Sequence, residues 1–170
     1  MREFAAWLQA TSLSVTVQSA GWIIPTVQSI HILMIGVVFV SSLMITLRVT
    51  RSVRADEPFA AVWSRFAPWM WGGLVLMALT GSVLIIAEPV REVTALSFWL
   101  KMALIAISVT TIVIFGRTVR PDTRTSATAE FSVGRRAVAV ATVVLWLAII
   151  FLGRAIAYDV EVWGSLSLHA

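Results

Sequence analysis

Four stretches of this chain, at about residues 26–47, 68–87, 97–115 and 137–158, are apolar and nearly free of charge. A helix needs about 20 apolar residues to cross a bilayer, and a helix satisfies all of its own backbone polar groups in hydrocarbon. The runs therefore predict an all-α integral membrane protein, a four-transmembrane-helix bundle forming one domain over residues 1–170. Composition agrees, with 59% hydrophobic and 13% charged residues against roughly 45–50% and about 25% in a soluble domain. Pro25 precedes the first span, where a helix start tolerates proline, and Pro68 marks the expected start of the second.

Charge gives the direction of insertion. Arg48, Arg51, Arg54 and Arg65 follow the first span, and Arg117, Arg120, Arg124, Arg135 and Arg136 follow the third, so nine of the 13 cations sit on one side. Positive residues beside spans stay in the cytoplasm. Both termini and the 88–96 loop are therefore expected in the periplasm of a bacterial inner-membrane protein. The net charge of +4 is explained by these loops, which argues against nucleic acid as a partner. Trp22, Trp99, Tyr158 and Trp163 are expected in the outer aromatic belt, and Trp63, Trp69 and Trp71 in the inner one. Residues 1–21 lack the continuous apolar core of a signal peptide. Phe4, Trp7 and Leu8 share a helical face, so this segment reads as an amphipathic helix lying in the headgroup region or as a plain helical extension. The polar stretch 120–130 reads as a mobile loop. There is no cysteine, so thiolate metal sites and disulfides are excluded.

One histidine interrupts the first span. In "SIHILMIG", residues 29–36, His31 lies six residues past Pro25, about 9 Å below the end of the span. Lys101 lies about 6 Å into the third span and Arg154 about 6 Å from the end of the fourth. Thr80 and Ser82 of the second span fall in the same zone. Ionisable groups in hydrocarbon are costly and usually face the bundle interior. Lys101 and Arg154 are long enough to snorkel, whereas His31 is not. The imidazole is then either a hydrogen-bond donor to a neighbouring helix or a ligand. Met34, three residues on, puts a thioether on the same face, a pair that suits Cu(I).

"SIHILMIGVVFVSSLMITLRV", "RFAPWMWGGLVLMALTGSVLI" and "ALSFWLKMALIAISVTTIVIFGR" together resemble the four-helix unit of the CopD copper-resistance family and of the HemJ-type protoporphyrinogen oxidases. The resemblance covers about residues 26–117 and, weakly, the fourth span. It consists of a histidine early in one helix, a Thr-Gly pair in the next and a lysine near the start of the third, matched by His31, Thr80-Gly81 and Lys101. With "WLQATSLS" and "GRAIAYD" included, the chain is similar to a bacterial membrane-protein family without assigned activity. Likeness to the HemJ type implies haem b, with His31 as ligand and Lys101 carried over as the family's lysine. Likeness to CopD implies copper passage, with His31 and Met34 as transient ligands. The expected function is haem b-dependent electron transfer or oxidation of a membrane-soluble donor, with Lys101 and Arg154 pairing the propionates beside Thr80. Copper passage and a non-catalytic subunit of a larger complex are the alternatives. A second axial imidazole would have to come from another copy in a homo-oligomer, a membrane or periplasmic partner subunit, or His169.

Overall fold

The computed structural model describes residues 2–122 and 130–167, without the side chains of 119–122. His169, Arg124 and most of the polar stretch 120–130 lie outside the described residues. The order is α1 (Arg2–Gln9), α2 (Ser12–Ser19), α3 (Ile23–Val49), α4 (Phe59–Ala87), α5 (Pro89–Val93), α6 (Leu96–Asp122), α7 (Val133–Ala155), a 3-10 turn (Ile156–Tyr158), α8 (Asp159–Trp163) and a last 3-10 turn (Gly164–Leu166). Helices α3, α4, α6 and α7 are each long and apolar enough to cross a membrane. The protein is thus an all-α, multi-pass membrane protein in contact with lipid.

Helix α3 packs along α4 and α7, and α7 packs along α6. The α3–α4 approach is close because Gly73 has no side chain: a Cβ there would lie 2.8 Å from Val38 Cγ2. Small residues permit such backbone approach where lipid offers no hydrophobic drive for helix pairing. Between α4 and α6 the contact is made by aromatic side chains at the arginine-rich end. Trp63 lies against Gly116, where an added Cβ would come within 2.7 Å of the indole, and Phe59 meets Phe115 edge-on at 6.2 Å.

Three expectations for the spans change. Helix α4 begins at Phe59, nine residues before the expected start, and carries Pro68 inside it. The ring removes one backbone bond, and the helix continues because the flanking residues Ala67 and Met70 are packed in the core. Trp63 belongs to that core at 8% exposure, not to an aromatic belt, whereas Trp69 is 68% exposed. Arg48, counted among the loop cations, lies in the last turn of α3 and is fully buried, donating from Nε to the Glu57 carbonyl at 2.6 Å. The 50–58 connection folds back over it. Helix α3 ends with the Ser52 amide bonded to the Leu47 carbonyl and the Arg51 amide to that of Arg48. This places Arg51 in the left-handed region, at φ 61°, where a helix end usually carries glycine.

The N-terminal segment is two short helices instead of one. Thr11 caps α2 by accepting from the Ser14 amide; α1 packs on α5 and α2 on α4. Gln18 fastens α2 to the end of α4 by donating to the Ala87 carbonyl at 2.7 Å. Phe4 and Trp7 are exposed together, as the shared face predicts.

At the same end, the buried Asp159 carboxylate accepts from the amides of Leu96 and Ser97, at 3.0 and 2.9 Å, and from the Ser97 and Ser167 hydroxyls, at 2.7 Å each. Trp163 adds a bond from its indole N–H to Ser97 Oγ at 2.8 Å. The start of α6 is therefore capped by a carboxylate 62 residues beyond Ser97 in the chain, an anion where the helix dipole favours one. Replacing Asp159 with Ala strands two backbone donors and two hydroxyls, and bonds to a charged acceptor are worth roughly 1.5–3 kcal/mol each. Asp159→Ala is expected to lower thermal stability in detergent far more than Glu161→Ala, an exposed neighbour; equal melting of the two variants would show that the cap carries no stability.

Candidate functional site

The site begins with a seat for an imidazole between α3 and α4. On α4, Thr80 is buried and Gly81 follows it. Without a side chain, Gly81 leaves room for the ring: a Cβ there would meet His31 Cε1 at 3.4 Å. His31 Nδ1 lies 2.8 Å from Thr80 Oγ1. The Thr80 hydroxyl has one proton, and its own helix takes it, since Oγ1 is 2.7 Å from the Leu76 carbonyl. With that proton committed to Leu76, the hydroxyl is an acceptor for an Nδ1–H, and the Met77 backbone is a further hydrogen-bond partner of the imidazole.

Lys101 reaches the same level from α6. Its Cδ lies 3.8 Å from where a Gly153 Cβ would stand, so the stem passes over a glycine of α7. Its ammonium is 5.6 Å from the centre of the Phe98 ring, and its charge acts on His31. The four spans thus contribute His31, Thr80-Gly81, Lys101 and Gly153 to neighbouring positions of the bundle. Arg154 shares the level and points elsewhere. It is exposed, with its guanidinium 5.4 Å over the Tyr158 ring. Met34 is half-buried and packs against the apolar core. Ser82 is exposed and bonds its own helix at Ala78.

Glu92 is the member that sequence reasoning passed over. It stands on α5, in the 88–96 connection. In the structure it is half-buried and in electrostatic contact with Lys101. Burial pushes its carboxyl above the usual range, while Lys101 and Arg91 draw it back. No periodic signal marks it, because α5 is a five-residue helix whose position over the bundle comes from packing.

Among the described residues, no three histidine or acidic side chains converge as a metal site. Two partly open pockets among the same residues have volumes of about 30 and 10 Å³, and His31 lines neither. Small-molecule and cofactor sites occupy roughly 300–1,000 Å³. Neither of these two pockets is large enough for a ring the size of a porphyrin, and His31 itself is half-exposed.

No protein-family model, curated protein or solved structure matches this chain, so the site stands on its own residues.

The assigned tautomer is directly measurable. In ¹⁵N-histidine-labelled protein, His31 is expected to show a protonated Nδ1 and a bare Nε2, and Thr80→Val, which removes the acceptor while keeping the shape, is expected to mix the tautomers. A protonated Nε2 in the unaltered protein would contradict the geometry.

Proposed function

We propose that this chain is a haem b-binding protein of the bacterial inner membrane, serving electron transfer or the oxidation of a membrane-soluble donor. The observation that supports it is the seated His31: an imidazole in an apolar bundle whose Nδ1 lies 2.8 Å from Thr80 Oγ1. That is the arrangement by which an outer partner orients a metal-ligating histidine and sets its tautomer. The donor chemistry fits iron in a porphyrin, and the ring would meet His31 at its half-exposed side. Lys101 is the cation placed to pair a propionate; Arg154 would act from the rim, by leaving Tyr158. When bound, haem would supply one-electron chemistry. The chain's own contribution is to hold the ligand, to exclude water through α3 and α4, and to balance the propionate charge.

The copper alternative is weaker on this geometry, because the Lys101 charge acts on the same imidazole and would repel Cu⁺ in a poorly screened place. The reading as a non-catalytic subunit draws on the closed core. One preparation separates the three. Protein made with ample haem should show a Soret band that His31→Ala abolishes while the chain stays monodisperse; bound copper without that band supports passage, and neither supports the partner subunit. Lys101→Met is expected to speed haem loss about 10- to 150-fold, the equivalent of one charge-assisted bond of roughly 1.5–3 kcal/mol. Arg154→Met is expected to do less, since exposed charges are screened.

The arginine asymmetry supports periplasmic termini, with the site on the periplasmic side and α1 and α2 at its headgroup level. Ser52 and Ser165 are both exposed. In whole cells, a cysteine at Ser165 should react with membrane-impermeant thiol reagents and one at Ser52 should not; the reverse pattern would invert the topology.

A further inference from the structure

Four arginines of this chain reach an acid: Arg51 meets Glu130, Arg54 and Arg65 meet Glu57, and Arg91 meets Glu88. Arg154, in the last turn of α7, does not. It is exposed with its guanidinium 5.4 Å from the centre of the Tyr158 ring, and among the described residues it makes neither a hydrogen bond nor an ion pair. The hydroxyl of Tyr158, also exposed, has no partner there either. Asp159, the nearest acid along the chain, is spent on the start of α6 and on Ser167. Two adjacent side chains therefore hold N–H and O–H donors that the protein itself does not use.

These donors stand at the end of an apolar face. Helix α7 buries Ala139, Thr142, Trp146 and Ile149 in the bundle, while Val140, Val144, Leu147 and Phe151 are all exposed. Steps of four, three and four residues keep the exposed set on one side of a helix, and further steps of three and four lead to Arg154 and Tyr158. In a membrane-crossing helix this side meets lipid. From Val140 to Phe151 it runs about 16 Å, close to half of the roughly 30 Å hydrocarbon thickness, the depth of one leaflet. Arg154 and Tyr158 follow where acyl chains give way to headgroups.

We propose that this face of α7 binds an anionic glycerophospholipid, with an acyl chain along residues 140–151 and the phosphate taken by the Arg154 guanidinium and the Tyr158 hydroxyl. A guanidinium matches two phosphate oxygens with two of its N–H groups, and stacking on an aromatic ring holds its plane without using those donors. The phosphate supplies the negative charge that no acid of the described chain brings to Arg154. A zwitterionic headgroup adds a cation of its own beside one that already lacks an acid, and so fits less well. In the orientation proposed above, the lipid belongs to the periplasmic leaflet. The site does not rest on the haem reading and leaves Lys101 as the cation of that one.

The test uses the full chain in nanodiscs of phosphatidylglycerol and phosphatidylcholine in equal parts, with a photoreactive diazirine on the acyl chain of one lipid at a time, and maps the adducts by mass spectrometry. Residues 140–151 are expected to be labelled about tenfold more by the phosphatidylglycerol probe, while the exposed Ile107 and Ile114 of α6 are labelled alike by both. Arg154→Gln should remove most of that preference, a loss equivalent to about 1.4 kcal/mol, with phosphatidylcholine labelling unchanged. Arg154→Lys should keep part of it, and Tyr158→Phe, which retains the ring, should lose less than Arg154→Gln. Lys101→Met should change nothing on α7. Equal labelling of 140–151 by the two probes in the unaltered protein would leave only unselective lipid there and overturn the proposal. So would a preference that survives Arg154→Gln, because the guanidinium would then play no part in choosing the headgroup.

Discussion

A polar atom in hydrocarbon has no water to turn to, and the arrangement of this bundle follows from that constraint. Backbone groups are satisfied by coiling into helices, which leaves the side chains. Most hydroxyls bond their own helix, as Thr142 does at Val138, and make no demand on tertiary structure. The remaining groups fix how helices meet. Thr46 bonds across to the Ala139 carbonyl and ties α3 to α7, His31 bonds to Thr80 and ties α3 to α4, and Asp159 gathers the start of α6 to the C-terminal turns.

The glycines make these bonds reachable. Gly73 brings α4 against Val38 of α3, and about two turns further along α4 the pair Thr80-Gly81 supplies the acceptor and the space for the imidazole. The seat thus depends on neighbours that differ in kind: a hydroxyl whose proton is already committed to Leu76, and a residue with no side chain to fill the notch.

The two ends of the bundle are built differently. At the arginine-rich end the charges are drawn into the packing: Arg48 is buried beneath the 50–58 connection, and Glu57 receives Arg54 and Arg65. At the other end short helices cover the spans, and the carboxylate of Asp159 holds the first turn of α6 at Leu96 and Ser97, just over one turn before Lys101. The placement of Lys101 over Gly153 therefore depends on a contact made by the C-terminal segment, which links the stability of that segment to the geometry of the site.

The number of spans, most of their limits to within a few residues and the common depth of His31, Thr80, Lys101 and Arg154 were legible in the sequence, because hydrophobic length and helical rise are properties of a single helix. What lies around the helix axis was not. Arg154 turns to Tyr158 while Lys101 passes over Gly153; Trp63 leaves the aromatic belt for Gly116; Glu92 comes within electrostatic reach of Lys101 from a five-residue helix. These outcomes depend on which helices are neighbours and how they are rotated, and four nearly uniform apolar runs carry little amphipathic signal to say so. The tautomer of His31 belongs to the same class. The sequence places a histidine in the membrane, but only the packing of α3 on α4 sets Thr80 Oγ1 beside Nδ1 and so gives the two ring nitrogens different surroundings.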